Sequence, residues 1–448
     1  MRKIGLISLG CDKNRVDSEL LLGSAVDNDF EIVVDPMQAD VLVVNTCAFI
    51  ESARREAIEA IFDLVNVKNA TGAKLVVTGC LAQRYPQEIY NEIPEVDAVI
   101  GADRYSQFGK IINDMFGENQ PERLLSVRND LTTIEQGKRV LTTPKHYAYL
   151  RIADGCNNFC TYCSIPYIRG RYRSRKIEDV VGEATQLVKN GAKELILVAQ
   201  DLTDYGIDLF GKRSLVSLLN ELCKIEKLDT IRLLYCYPEH VDDELINCIA
   251  ENPKIAKYID LPLQHVNDRI LKRMNRKTDK KEIIECIKKL RENIFGMTIR
   301  STFICGFPGE TEEDVNELAE LLKEQKLNNV GFFEYCREEG TPAASYPDQV
   351  SEKDKHDRLT KLASIQNNIV YARNIYHVGS HEKVTVDSVA SFDEKEGKYT
   401  YVCRTRDMAP LIDGVVYVSS KKELQLGEKY KVLINSCTNY DLIGEIEE

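Results

Sequence analysis

The stretch Gly155-Cys156-Asn157-Asn158-Phe159-Cys160-Thr161-Tyr162-Cys163 places three cysteines in one short loop. The loop directly follows Tyr149–Ala153, an apolar segment with the character of a buried strand. A structural zinc ion usually has four protein ligands, and this loop offers only three. Three thiolates on a cubane iron–sulfur cluster leave one iron without a protein ligand, where a small molecule can bind. The spacing therefore favours an iron–sulfur site with one open position over a zinc site.

Strand-like and helix-like segments alternate on the C-terminal side of this loop. Six such β/α repeats predict a TIM-like barrel, complete or partial. Barrel enzymes hold their sites at the carboxyl ends of the strands, which is where the cysteine loop falls. The strands are predicted at Tyr149–Ala153, Leu195–Ala199, Ile231–Tyr235, Tyr258–Leu261, Ile299–Ile304 and Val330–Phe333, with helices at Ile177–Lys189, Leu215–Ile225 and Lys280–Asn293.

The segment before the barrel also alternates strand and helix. Its strands are continuously apolar, which is typical of a parallel sheet covered on both faces. We therefore predict an α/β domain at residues 1–116 and a polar, irregular linker at 117–140. The predicted strands are Lys3–Leu9, Asp40–Asn45, Lys74–Thr78 and Val96–Ile100, and the predicted helices are Asp17–Val26 and Ser52–Val65.

A second set of three cysteines is dispersed through this first domain. Cys11, Cys47 and Cys80 each follow a predicted strand. Because the carboxyl ends of parallel strands share one edge of the sheet, we expect the three thiols to converge. Three thiolates there can bind a second cluster, again with an open iron; the alternative is that cysteine is a common buried residue. The other eight cysteines show no ligand spacing and are interpreted as small core residues: Cys223, Cys236, Cys248, Cys286, Cys305, Cys336, Cys403 and Cys437.

After about residue 375 the helical period disappears. Short strands separated by turn residues predict a small all-β barrel of the OB-like kind at 375–445. From residue 378 onward this module has 13 acidic and 9 basic side chains, a net charge of −4. The predicted strands are Lys383–Val389, Lys398–Arg404, Gly414–Val418, Tyr430–Asn435 and Leu442–Ile446.

The C-x3-C-x2-C spacing resembles the signature of the radical S-adenosylmethionine (SAM) superfamily. Nearly the whole chain resembles the radical SAM methylthiotransferases, with an N-terminal cluster domain (1–116), a radical SAM core (142–372) and a TRAM domain (375–445). Within that family the RimO branch is the most similar. The stretches that carry the resemblance are Leu9–Glu19, Asn45–Cys47, Thr78–Leu81 and Leu261–His265, whereas Arg169–Arg175 and Gly306–Thr311 are shared more widely, including with tRNA methylthiotransferases.

The resemblance implies an enzyme that adds a methylthio group to the β-carbon of an aspartate in small-subunit ribosomal protein S12. One SAM would donate a methyl group and a second would supply the radical. The implied cofactors are two 4Fe–4S clusters, one bound by Cys11, Cys47 and Cys80 and one by Cys156, Cys160 and Cys163, together with a low-potential electron donor such as flavodoxin or ferredoxin. Because both clusters must serve one substrate, we expect the edge of the N-terminal sheet to open onto the barrel mouth. The sequence assigns no further catalytic residue.

Two other functions remain open from the sequence. One is a tRNA adenosine methylthiotransferase with the same chemistry; the other is a non-catalytic iron–sulfur or zinc protein that binds ribosomes. The formal net charge of −12 and the acidic C-terminal module favour a basic ribosomal protein over tRNA as the partner. Because no apolar stretch approaches the roughly 18 residues of a membrane helix, we expect a cytoplasmic protein without a membrane partner.

Several polar residues near the predicted strand ends are weaker candidates. The four alternating arginines Arg169, Arg171, Arg173 and Arg175 are expected either to contact SAM, the substrate or the other cluster, or to join the domains through salt bridges. The remaining candidates are Gln200 and Asp201 for SAM, Gln264 and His265 for substrate or structure, and Gly306, Pro308 and Gly309 for a close approach to a nucleoside or for a simple turn.

Overall fold

The computed structural model describes residues 1–117, 122–128 and 131–446. The amino-terminal module has a six-stranded, all-parallel sheet between helices. Its strands are β1 (Arg2–Ser8), β2 (Phe30–Ile32), β3 (Val41–Thr46), β4 (Lys74–Gly79), β5 (Ala98–Ile100) and β6 (Leu124–Ser126), and its helices are α1 (Asp12–Val26), α2 (Glu51–Thr71), α3 (Cys80–Arg84), α4 (Pro86–Glu92) and α5 (Phe108–Asp114). The strand order is β2-β1-β3-β4-β5-β6.

The four predicted strands of this module are confirmed, but two short edge strands were not predicted. The linker prediction is wrong for β6, which pairs with β5 through Ser126 and Ile100. Leu124 N–H also donates to the carbonyl oxygen of Asp97 at 2.8 Å. A three-residue edge strand in polar surroundings is too short to produce a periodic signal, which explains why the pattern missed it.

The central module contains a second parallel sheet and a separate antiparallel pair of short strands, β8 and β9. The strands of the module are β7 (Tyr147–Arg151), β8 (Ala153–Asp154), β9 (Arg173–Ser174), β10 (Glu194–Val198), β11 (Thr230–Leu233), β12 (Ile255–Gln264), β13 (Thr298–Cys305) and β14 (Asn329–Glu334). Its helices are α6 (Ile165–Arg169), α7 (Ile177–Lys189), α8 (Ile207–Phe210), α9 (Leu215–Cys223), α10 (Asp243–Glu251), α11 (Asp268–Arg273), α12 (Lys280–Asn293), α13 (Glu312–Gln325) and α14 (Glu352–His377). None of the helices in the described ranges is long and apolar enough to cross a membrane.

Six of these strands form an open sheet in the order β14-β13-β12-β11-β10-β7, so the predicted barrel is a partial one. One face of the sheet packs against α7, α9, α10, α12 and α13 in the main hydrophobic core. Side chains of the other face, including Tyr149 and Ile196, share a core with Val16 and Leu20 of α1. The first helix of the amino-terminal module therefore lies against the interior of the partial barrel.

The carboxyl-terminal module is a closed five-stranded barrel, as predicted, in the order β15-β16-β17-β19-β18. It packs against the amino ends of the central strands, opposite the end where the cysteine loops lie. Arg404 pairs with Glu194, the first residue of β10, at 3.1 Å, and Asp387 accepts from His146, just before β7, at 2.7 Å. The strands are β15 (His381–Asp393), β16 (Lys398–Arg404), β17 (Val416–Ser420), β18 (Lys429–Cys437) and β19 (Leu442–Ile446).

Candidate active site

The dispersed cysteines Cys11, Cys47 and Cys80 converge at the carboxyl edge of the amino-terminal sheet. Cys11 is the N-cap of α1, Cys47 follows β3, and Cys80 begins α3 after β4. Burial, together with the neighbouring Cys80 and Cys11, raises the pKa of the Cys47 thiol to about 12. Because burial and like charge disfavour the thiolates, the set needs a positive partner such as a metal centre to become ionised.

A hydrogen-bond network fixes the strand ends that carry these thiols. The Asn14 side-chain amide donates to the carbonyl oxygens of Leu9, at the end of β1, and Thr46, at the end of β3. The Thr46 hydroxyl donates to the Thr78 carbonyl and accepts from Leu81 N–H at 3.2 Å, which adds the end of β4. The three loops are therefore cross-linked through buried polar side chains, which hold the thiols in one place.

Two glycines allow the close approach of these loops. Gly79 has a φ of 91°, and a Cβ there would lie 2.3 Å from Asn45 Oδ1 and 2.5 Å from the Thr46 oxygen. Gly10 has a φ of 88°, and a Cβ there would lie 2.8 Å from Cys47 Cβ. Both positions combine a positive φ with a close approach of neighbouring atoms to the place that a Cβ would occupy. Only glycine accommodates this combination without strain.

The loop with Cys156, Cys160 and Cys163 is held by backbone contacts at the mouth of the partial barrel. Cys156 N–H donates to the Gly170 carbonyl at 3.2 Å, and Cys163 N–H to the Cys160 carbonyl at 3.0 Å. Burial raises the pKa of Cys156 to about 12; the Asn158 N–H opposes this rise and Cys160 adds to it. These three thiols also lie close together. As thiolates they can act as three ligands of one metal centre.

Arg169 joins the two cysteine groups. It is the last residue of α6, the short helix that follows the loop with Cys156, Cys160 and Cys163. Its side chain is 3% exposed. Its Nη2 lies 3.3 Å from Cys80 Sγ and 2.7 Å from Asp17 Oδ2, while Nη1 lies 3.7 Å from Asp154, the residue before Gly155. The edge of the amino-terminal sheet therefore faces the barrel mouth, as the sequence predicted.

The other three alternating arginines do different work. Arg175 pairs with Glu183 at 2.6 Å, and Arg173 donates to the Arg171 carbonyl at 2.7 Å. Arg171 is exposed and stacks over the Phe159 ring at 4.5 Å. Among the described residues only Arg169 of this set has a recorded contact with Cys11, Cys47 or Cys80. Arg169 also joins the two modules through its salt bridge with Asp17, whereas the salt bridge of Arg175 lies within the central module.

The predicted SAM candidates Gln200 and Asp201 differ in availability. Asp201 Oδ1 accepts from Thr203 N–H at 3.0 Å and from its hydroxyl at 2.6 Å, and Oδ2 accepts from the Asn158 amide at 2.9 Å. Gln200 donates to Asp154 at 2.8 Å, but its Oε1 is buried without a hydrogen-bond partner among the described residues. Gln200 is thus the better candidate to accept a bond from a ligand.

His265 and the glycine-rich turn make close contacts within the protein. His265 is fully buried, and its Nδ1 accepts from Asn267 N–H at 3.0 Å. A Cβ at Gly306 would lie 2.3 Å from Lys355 Cγ of α14, so this close approach is to a helix. A Cβ at Gly309 would lie 3.1 Å from Arg273 Cζ. The side chain of Gln264 is half-buried on a backbone with a φ of 70°.

The sequence analysis missed polar residues of α1 that face the site. Asp17 is fully buried and pairs with both Arg169 and Arg151. Lys13 is 8% exposed and Asn14 is 1% exposed. The signal was present, because residues 13, 14 and 17 are spaced at i, i+1 and i+4 and share one helical face. A polar stripe at helical spacing beside a candidate ligand predicts a buried polar site.

Comparison with known proteins defines the class to which this chain belongs. Residues 150–322 match the Radical SAM superfamily, residues 3–101 the Uncharacterized protein family UPF0004, and residues 378–446 the TRAM domain. Among solved structures, the radical S-adenosylmethionine methyltransferase TsrM from Kitasatospora setae superposes with a TM-score of 0.56 at 15% identity, over 76% of this chain and 77% of that one. The cobalamin-dependent S-adenosylmethionine radical enzyme OxsB gives a TM-score of 0.51 at 13% identity, over 83% of this chain and 57% of that one. These likenesses show the shared fold.

Relatives of similar length identify the family within the radical SAM superfamily to which the chain belongs. The ribosomal protein uS12 methylthiotransferase RimO of Clostridium botulinum is 48% identical over 448 residues, covering 100% of this chain and 98% of the relative. That of Clostridium kluyveri is 48% identical over 445 residues, covering 99% and 98%. The chain belongs to the RimO family of radical SAM methylthiotransferases, which confirms the resemblance seen in the sequence.

Proposed function

We propose that this chain attaches a methylthio group to the β-carbon of an aspartate in ribosomal protein uS12. One SAM molecule serves as methyl donor and a second as radical source. Family membership supports the reaction and the substrate protein. The acidic net charge of −12 supports a basic partner and disfavours tRNA.

We assign one 4Fe–4S cluster to Cys156, Cys160 and Cys163 and a second to Cys11, Cys47 and Cys80. Each set supplies three thiols, which matches a cubane cluster that keeps one iron open. When bound, the first cluster supplies the electron that cleaves SAM reductively, and the second carries the sulfur to be transferred. Gln200 Oε1 has no hydrogen-bond partner among the described residues, which supports it as the acceptor of a hydrogen bond from SAM.

The observation that carries the proposal is the position of Arg169 between the cysteine sets. Its guanidinium contacts Cys80 directly, while its own helix follows Cys163 after one residue. Sulfur transfer to a carbon radical requires the two half-reactions to share one chamber, because the radical cannot survive diffusion through water. Asp17 keeps this arginine in place by pairing with it at 2.7 Å.

The three modules divide the work under this proposal. Residues 1–116 hold the sulfur-carrying cluster, 142–372 generate the radical, and 375–445 form the TRAM domain. In the TRAM domain Arg404, Arg406 and Lys429 already contact the central module, which leaves fewer bases free for a nucleic acid. A low-potential donor such as flavodoxin or ferredoxin supplies electrons, and the reaction takes place in the cytoplasm with the ribosomal substrate.

The test is to incubate the reconstituted enzyme with SAM, a reductant and either uS12 or total tRNA under anaerobic conditions. We expect mass spectrometry to find a methylthio group on a uS12 aspartate and none on adenosine. Formation of 5′-deoxyadenosine should accompany the modification of uS12. Methylthioadenosine in tRNA together with unmodified uS12 would refute the proposed substrate, and the absence of 5′-deoxyadenosine would refute the proposed reaction.

A further inference from the structure

Lys13 is a buried cation between the two cysteine sets. It lies in the first turn of α1, two residues after Cys11, and is 8% exposed. Burial, together with the thiols Cys160 and Cys156, raises the pKa of Cys163, and the charge of Lys13 opposes part of that rise, so the ammonium also lies near the Cys156, Cys160 and Cys163 set. Lys13 Nζ is 3.3 Å from the centre of the Tyr235 ring. The ammonium therefore faces the chamber that both cysteine sets share.

Among the described residues, Lys13 has no carboxylate in direct ion-pair contact. Arg169, the other buried cation between the sets, pairs with Asp17 at 2.7 Å. Lys13 forms no recorded ion pair within residues 1–117, 122–128 and 131–446. The adjacent Asp12 carboxylate accepts from the Tyr235 hydroxyl at 3.4 Å; burial raises the pKa of Asp12, and the nearby charge of Lys13 only opposes that rise. A buried ammonium normally pairs with an anion, and contact with an aromatic ring offsets only part of its desolvation cost. One positive charge in the chamber is left for an incoming anion.

The Tyr235 ring, which contacts the Lys13 ammonium, is held in a fixed position. Tyr235 follows β11 with a φ of 61°, a left-handed conformation that is rare for a bulky residue and typical of functional sites. Its backbone N–H donates to Asp260 Oδ2 at 3.0 Å, and Arg300 fixes that carboxylate at 2.8 Å. The ring therefore has a fixed position at the carboxyl end of the sheet, directly against Lys13.

We propose that Lys13 binds the side-chain carboxylate of the substrate aspartate and so orients the carbon that receives the methylthio group. This inference rests on the proposed function, because it takes the substrate to be an aspartate side chain. The carboxylate is the charged group of an aspartate side chain, and the Lys13 ammonium, which has no direct ion pair, lies between the two cysteine sets. The same chemistry fits the carboxylate of SAM, and the experiment distinguishes the two sources.

The test compares the reconstituted enzyme with its Lys13→Met and Lys13→Arg variants. The probes are uS12 and uS12 in which the target aspartate is replaced by asparagine. For Lys13→Met we expect uS12 binding to weaken by about 10- to 100-fold, the effect of losing one charged hydrogen bond. Lys13→Arg should restore most of the affinity. The asparagine substrate should weaken binding to the wild type similarly, but to Lys13→Met by less than about threefold, because the two changes remove one interaction.

Two further readouts separate other roles of Lys13. Under this proposal, Lys13→Met should keep the iron and sulfide content and the KM for SAM of the wild type. A raised KM for SAM would overturn the proposal in favour of the SAM carboxylate, and a loss of iron would overturn it in favour of charge compensation of a cluster. Equal penalties for the asparagine substrate in wild type and variant would also overturn it. If wild-type enzyme fails to modify uS12 at all, the proposed function fails instead.

Discussion

The two cysteine sets reach the same geometry by opposite routes. Cys156, Cys160 and Cys163 lie in one loop. Local hydrogen bonds stabilise this loop, such as the one from Cys163 N–H to the Cys160 carbonyl at 3.0 Å. Cys11, Cys47 and Cys80 come from three loops that meet only because their strands are neighbours in one parallel sheet. The first kind of site is encoded by spacing, whereas the second is encoded by strand order and by the packing between loops.

This difference teaches where each site is vulnerable. The local set depends on its loop, but the dispersed set also depends on buried polar groups that tie separate strands together, such as Asn14 and Thr46. Arg169 belongs to both, because it lies on the helix after the local set and contacts Cys80 of the dispersed one. Substitutions of the cysteines, of Arg169, which bridges the two sets, and of the glycines that let the loops pack closely should therefore have separable effects on metal content and stability.

The largest expected effect is the loss of one cluster without the other. Cys156→Ala should remove about half of the iron and sulfide and abolish SAM cleavage, and Cys11→Ala should also remove about half but leave SAM cleavage intact. Both variants should form no methylthiolated product. Metal analysis and 5′-deoxyadenosine assays measure these outcomes, with Cys248→Ala as the matched control that keeps both clusters. Loss of all iron in either variant would show that the two sites do not assemble independently.

Breaking the bridge should destabilise the protein strongly. Arg169→Gln leaves Asp17 buried with only Arg151 as its cationic partner, and removal of one member of a buried pair costs about 3–5 kcal/mol. The exposed Arg171→Gln in the same segment should change the free energy of unfolding by less than about 0.5 kcal/mol. Denaturant unfolding of the two variants measures the difference, and similar values would contradict a bridging role for Arg169.

The amino end of the central sheet, which has no cysteine loop, contrasts with the carboxyl end, where the cysteine sets lie. Burial raises the pKa of Glu194, but Arg404 and Arg232 lower it more, to about 2 from 4.5. Because the folded-state pKa is depressed, this stabilisation is complete above about pH 4.5 and is lost as the pH falls through about 2. Its size is about 3 kcal/mol.

Glu194→Gln should therefore lower the free energy of unfolding at neutral pH and reduce its further loss between about pH 5 and about pH 2. Unfolding of the cluster-free protein across that range measures the slope. Glu428→Gln breaks the half-exposed pair with Lys193 and should cost less than about 1 kcal/mol. A wild-type slope in the Glu194→Gln variant would show that this carboxylate does not link pH to stability.

The smallest expected effect concerns the packing of the dispersed set. Gly79→Ala would place a Cβ against Asn45 and Thr46, whereas a Cβ at Gly72, which has a similar φ of 77°, meets nothing within 4 Å. Alanine is strained at both positions, and more so at Gly79, whose ψ of −158° lies in a region essentially restricted to glycine, whereas Gly72 has a ψ of 11°. Gly79→Ala should therefore cost about 1–3 kcal/mol more than Gly72→Ala. It should also lower the iron content at the dispersed set. Equal unfolding energies would mean that the loops adjust freely.

Much of this architecture was predictable from the chain. The apolar strands, the β/α alternation and the five short C-terminal strands follow from periodicity, and the convergence of Cys11, Cys47 and Cys80 follows from their places after parallel strands. Two things were not predictable. The edge strand Leu124–Ser126 is too short to show a period, and the roles of Asp17 and Arg169 depend on two modules meeting across 152 residues of chain.

The sequence by itself identified the proposed ligands, because metal chemistry requires particular side chains and the order of strands dictates which of them share an edge. Tertiary structure alone decided which charges are neutralised. Arg169 and Lys13 are both basic residues near cysteines in the sequence, yet only the folded chain places Asp17 against the first and an aromatic ring against the second. The reason is that burial and pairing, which set the energy of a charge, arise from contacts between distant segments.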